Sequence, residues 1–74
     1  MSASNLEKRS LRIEVDREED GRWIAEVPDL PGVLVYGATE ADAVNAAKAL
    51  ALRVLADRIE AEHSAPGLIE FAVA

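Results

Sequence analysis

Cysteine is absent from these 74 residues, which excludes disulfides, thiol nucleophiles and thiolate metal sites. His63 is the only histidine, so a single chain cannot build a two-histidine zinc site. Aromatic side chains are nearly missing, with one each of Trp, Tyr and Phe. No apolar run approaches the about 20 residues that span a bilayer, so no membrane association is expected. The first ten residues lack the apolar stretch of a secretory signal, and a cytoplasmic location is expected. No glycine-rich phosphate loop occurs either. Cations are scarce: 8 Lys and Arg stand against 14 Asp and Glu, a formal net charge of −6. Such an acidic chain repels phosphate backbones, so direct nucleic-acid binding is not expected. A basic protein partner is favoured instead, although acidity also serves plain solubility.

The length allows one domain. A chain this short buries only about 60% of its unfolded surface, and small domains without disulfides or metals often recover stability by oligomerising. A homo-oligomer is therefore expected, with residues 1–10 as a flexible lead-in and residues 11–74 as the domain.

Leu11, Ile13 and Val15 alternate with Arg12, Glu14 and Asp16, the two-residue period of a half-buried strand. Glu18-Glu19-Asp20-Gly21 reads as an acidic turn in which Gly21 supplies a positive φ. Strand character resumes from Arg22 to Val27, with Trp23, Ala25 and Val27 on one face, which predicts a β-hairpin. Two prolines in Pro28-Asp29-Leu30-Pro31-Gly32 must interrupt pairing, and Pro31-Gly32 suits the centre of a type II turn. The continuous run Val33-Leu34-Val35-Tyr36 predicts a short strand covered on both faces or lying against a partner. Trp23 is expected to face Val35 or Tyr36 across the sheet.

Thr39 is placed to cap a helix with Asp42 in its first turn. Nothing breaks that helix from Glu40 to about Glu62, and its alanines favour it. At 100° per residue, Ala43, Val44, Ala47, Leu50, Ala51, Val54 and Leu55 share one face. Leu52 and Ile59 border that stripe. His63-Ser64-Ala65-Pro66-Gly67 ends the helix, and Leu68 to Val73 forms a last strand. The expected fold is α+β: a two-layer β-β-β-α-β domain with one helix packed on a four-stranded sheet.

The run Asp20-Gly21-Arg22-Trp23-Ile24-Ala25-Glu26-Val27-Pro28-Asp29-Leu30-Pro31-Gly32 resembles the HicB antitoxin family, as does Gly37-Ala38-Thr39-Glu40-Ala41-Asp42-Ala43 with Asn45 and Ala49 beyond it. The resemblance spans about residues 11–60. Trp23 stands where the family often has tyrosine, and Ala41 where it often has an acid. The resemblance implies a partial RNase H-like fold with the last strand beside and parallel to the first. It also implies a non-catalytic role in the cytoplasm of a bacterial-type cell: binding and neutralising a small basic HicA-type toxin that cleaves RNA. Many HicB proteins carry a C-terminal DNA-binding module; the chain stops at Ala74 without one, so direct promoter binding is not expected.

The candidate partner-binding residues are Glu18, Glu19 and Asp20 on the acidic turn, Leu30 between the prolines, and Val33, Val35 and Tyr36 in the apolar strand. For the turn, simple solvation is the competing role. Leu30 could anchor in a partner pocket or fold back to close the core, and the core role is preferred. Glu14 and Asp16 share a strand face and could meet Glu26 or Glu70 in a two-metal nuclease. The same pattern marks a solvated sheet face, so no catalytic, metal or cofactor site is assigned. A regulatory oligomerisation domain without a toxin is the remaining alternative.

Overall fold

The computed structural model describes residues 8–74. Its elements run β1 (Lys8–Arg17), β2 (Trp23–Glu26), β3 (Leu34–Gly37), α1 (Glu40–Glu62) and β4 (Leu68–Val73). The four strands form one sheet in the order β3-β2-β1-β4. β1–β2 and β2–β3 are antiparallel, whereas β4 returns beside and parallel to β1. Parallel pairing needs a long crossover, and α1 supplies it across one face of the sheet.

Each connection has a local cause. At the first hairpin the Gly21 amide donates to the Glu18 carbonyl at 2.9 Å and the Glu18 amide to the Arg22 carbonyl at 2.7 Å. Gly21 has φ +91°, as a type I turn followed by a left-handed bulge residue requires. At Leu30–Val33 the Val33 amide donates to the Leu30 carbonyl at 3.1 Å, and Gly32 takes φ +91°; Pro31-Gly32 thus occupies the turn centre. The Thr39 hydroxyl accepts from the Asp42 amide at 3.1 Å, capping α1. His63 ends the helix in the left-handed conformation at φ 53°.

The core lies between α1 and one sheet face. Leu11, Ile13, Ala25, Val27, Leu30 and Val33 are buried against Ala43, Val44, Ala47, Ala51 and Leu55. Leu50 and Val54, expected on the same helix face, are half-buried at its margin. Small side chains on α1 let its axis come close to the sheet. The approach is close at Gly37, where a Cβ would stand 2.5 Å from the Ala43 nitrogen and 2.9 Å from its Cα. Gly37 therefore does more than end a strand: it makes room for the first turn of the helix.

Several expectations are corrected. Lys8–Ser10, read as part of a flexible lead-in, belong to β1 and pair with Leu68–Glu70; residues 1–7 of that lead-in lie outside the described residues. Val33 is not in the strand. Its carbonyl accepts from the Val27 amide at 3.0 Å while its side chain is buried. Of the two roles expected for β3, cover on both faces within the chain is excluded, since Leu34 and Tyr36 are 44% and 47% exposed; the alternative, a place against a partner, is left. Trp23 stands opposite Gly37, and Tyr36 opposite Ile24. The two-layer α+β class holds. Among the described residues no helix is long and apolar enough to cross a membrane.

Candidate protein-binding surface

Side chains alternate across a strand, so the register fixes what the sheet shows on the side away from α1. Glu14 on β1 stands opposite Glu26 on β2, which stands opposite Leu34 on β3. The next row is Asp16, Ile24 and Tyr36. Further across, Ser10 and Arg12 stand beside Glu70 and Ala72 of β4. The result is an apolar strip of Ile24, Leu34 and Tyr36 bordered by carboxylates. Glu14, Asp16, Glu18, Ile24 and Glu26 line a shallow hollow of about 380 Å³ on this face.

Three ion pairs lie on the surface among the described residues, one of them joining β1 to β4. Arg12 meets Glu14 at 3.1 Å and Lys8 meets Glu70 at 3.1 Å. The Glu70 carboxylate also accepts from the Ser10 hydroxyl at 3.2 Å. The Lys8 ammonium, through its hydrogen bond and charge, and then the Ser10 hydroxyl hold Glu70 below the ordinary carboxylate range. At the first turn, Asp20 accepts from the Arg22 amide at 3.0 Å and from Arg22 Nε at 2.8 Å. The backbone N–H of Arg22, followed by its guanidinium, lowers the Asp20 pKa. That contact also sets the Arg22 guanidinium 4.4 Å above the centre of the Tyr36 ring, a cation–π arrangement.

The seven candidate residues thus fall in three places. Glu18, Glu19 and Asp20 occupy the hairpin turn. Glu19 is exposed at its tip, Glu18 is half-buried, and the Asp20 charge is already matched by Arg22. Leu30 and Val33, each 1% exposed, close the core and cannot touch a partner without unfolding their turn. Val35 is half-buried on the helix side. Tyr36 alone of the apolar four stands out on the uncovered face. Arg22 links it to the turn through Asp20, so one end of the candidate set forms a continuous surface.

Glu14, Ile24, Glu26 and Leu34 also belong to that surface, and sequence reasoning did not assign them to it. The signal was available in the phase of each strand: Ile24 is out of step with Trp23, Ala25 and Val27. Leu34 and Tyr36 are out of step with Val33 and Val35.

Glu14 and Glu26 meet, while Glu70 lies against Lys8 and Ser10 on the far side of β1. Among the described residues no group of three or more His, Asp or Glu is arranged to hold a metal ion. A second hollow, of about 340 Å³, lies where Lys8 and Arg9 approach Arg58, Ile59 and Glu62. Glu62 and the negative helix end offset its cations.

No protein-family model, curated protein or solved structure matches the chain.

Proposed function

We propose that the chain is a HicB-like antitoxin domain of partial RNase H-like fold, which binds and neutralises a small basic HicA-type toxin that cleaves RNA. The observation that supports this reading is topological. The family resemblance, drawn from residues 11–60, calls for a last strand beside and parallel to the first, and β4 lies so against β1. Residues outside the resembling run therefore adopt the arrangement that the run implies. The acidity of the chain, and the carboxylates of Asp16 and Glu26 that no ion pair engages among the described residues, suit a basic partner. Neutralisation needs no chemistry from the antitoxin: covering the toxin's RNA-binding surface and catalytic group suffices.

Copies of the chain associate in this reading. β3 has no charged side chain and no proline between Leu34 and Gly37, so its outer edge lacks the usual guards against strand pairing. The site of action is the cytoplasm, where the RNA targets are.

The test is capture and inhibition. The tagged chain is isolated from its native cells at low and at high salt, and the co-purifying protein is assayed for RNA cleavage with and without the chain. A small basic ribonuclease, released by salt and inhibited by the chain at 1:1, is the expected result. Recovery of the chain alone as a stable oligomer refutes the antitoxin reading and favours a regulatory oligomerisation domain.

A further inference from the structure

We propose that the uncovered sheet face is where the partner docks, and that it receives a basic segment whose arginine or lysine lies along Ile24 with its charge between Glu14 and Glu26. This rests on the reading of the chain as a binder of a basic protein and names the surface that does it.

Three observations on this face agree. First, Ile24, Leu34 and Tyr36 form an apolar strip with no helix over it. Leu34 and Tyr36 are close to half exposed, as Leu52, Leu68 and Val73 are elsewhere, but here they lie together on one strand beside Ile24. Second, Glu14 and Glu26 are direct cross-strand partners. Like charges placed so destabilise a sheet. Arg12 pairs with Glu14, but among the described residues Glu26 has no ion pair. A cation arriving between the two carboxylates removes that repulsion, and the free chain carries the cost until it arrives. Third, the face already holds one guanidinium. Arg22 lies over Tyr36, steered by Asp20, and the adjoining position over Ile24 offers the same combination of apolar floor and carboxylate wall. Long cationic side chains bind such places with stem and head together.

The charge also decides between occupants. On this face Lys8, Arg12 and Arg22 are already engaged by Glu70, Glu14 and Asp20, whereas Asp16 and Glu26 have no ion pair among the described residues. A second copy therefore brings paired cations and further unpaired acids rather than a free cation for Glu26, which disfavours it as the occupant. A nucleic acid meets repulsion from the same groups. A basic protein segment meets neither obstacle.

The full chain is titrated with a capped twelve-residue peptide of alternating arginine and valine, and with the same peptide carrying neutral citrulline for arginine. Amide NMR shifts and calorimetry are read. The arginine peptide is expected to shift residues 14, 24, 26, 34 and 36 in one patch, and the citrulline peptide to bind far more weakly. Glu14→Gln with Glu26→Gln is expected to weaken binding about tenfold, equivalent to about 1.4 kcal/mol, with folding intact by denaturation. Leu34→Thr keeps strand propensity and is expected to weaken it severalfold. Glu60→Gln, exposed on α1, is expected to change it less than about twofold, the scale of a distant exposed charge. Unchanged binding by the double variant, or shifts confined to the turn or to α1, overturns the proposal. The two readings fail separately. A basic ribonuclease held equally well by the double variant removes this surface and leaves the antitoxin role. Peptide binding as described, with no ribonuclease inhibited, removes the antitoxin role and leaves the surface.

Discussion

Replacing Gly37 with alanine isolates one close backbone approach between strand and helix. The added Cβ would sit 2.5 Å from the Ala43 nitrogen, 2.9 Å from its Cα and 3.0 Å from the Asp42 carbonyl carbon. All three are backbone atoms in the first turn of α1, so no side chain can swing away. The helix must lift or β3 must move, and overpacking of this kind costs about 1–3 kcal/mol. Alanine also restricts the unfolded chain, which returns about 0.4–1 kcal/mol. The net expected loss is about 1–2 kcal/mol. With a urea m-value of about 1 kcal/mol/M for a small domain, the midpoint falls by about 1–2 M at constant m. Trp23, the only tryptophan and the register partner of Gly37, reports the transition by fluorescence. Gly32 is the control. A Cβ there meets nothing within 4 Å, but φ is +91°, so the cost is conformational. Asparagine tolerates that region better than alanine, so Gly32→Asn is expected to be milder than Gly32→Ala. At Gly37 the order reverses, because asparagine is larger. A Gly37→Ala protein as stable as the parent, or a Gly37→Asn protein more stable than Gly37→Ala, refutes the close-approach argument.

Four further outcomes follow from the same structure. Leu30→Ala is expected to cost about 2–5 kcal/mol by leaving a cavity, whereas the half-exposed Leu34→Ala should cost under about 1 kcal/mol; equal midpoints for the two in urea would place Leu30 outside the core. Thr39→Ala removes the cap on the Asp42 amide and is expected to cost about 1 kcal/mol, read by thermal unfolding, while Thr39→Ser should recover most of it. Glu26→Gln relieves the repulsion from Glu14 and is expected to stabilise the free chain by a few tenths of a kcal/mol, a gain that shrinks with added salt; destabilisation would contradict the like-charge argument. Glu70 is lowered from its ordinary value of 4.5 by Lys8 and Ser10. Its depressed folded pKa stabilises above 4.5 and that contribution is lost as pH falls through the lower folded value. An NMR titration in which Glu70 is not lowered, or is unaffected by Lys8→Gln, would show that the pair does not persist in solution.

What the sequence disclosed was local. The hairpin turn at Gly21, the Pro31-Gly32 turn, the Thr39 cap and the end of α1 near Glu62 all follow from residues within a few positions of one another. What it did not disclose depends on distant partners. Lys8, Arg9 and Ser10 show no apolar alternation, and they are a strand because β4 pairs with them some sixty residues later. Val33 is apolar and adjoins a strand, yet its hydrogen bonds to Val27 and Leu30 hold it in the turn. Leu34 and Tyr36 look like core residues until the sheet order makes β3 an edge strand with α1 on one side only. The role of Gly37 needed the distance to Ala43. Choosing Glu26 over Glu70 as the neighbour of Glu14 needed the register of the first hairpin, which a turn one residue longer would have changed. The parallel placement of β4 came from the family resemblance and from no periodicity in the chain.

The most direct test of the central claim is an RNA-cleavage assay on the basic protein captured by this chain, with wild-type protein and with the Glu14→Gln, Glu26→Gln variant added in turn. The account expects cleavage to stop with one equivalent of the wild-type chain and to resume at high salt, with about tenfold more of the double variant needed for the same inhibition. Capture of no basic protein, or a captured protein whose activity the wild-type chain leaves untouched, would contradict it.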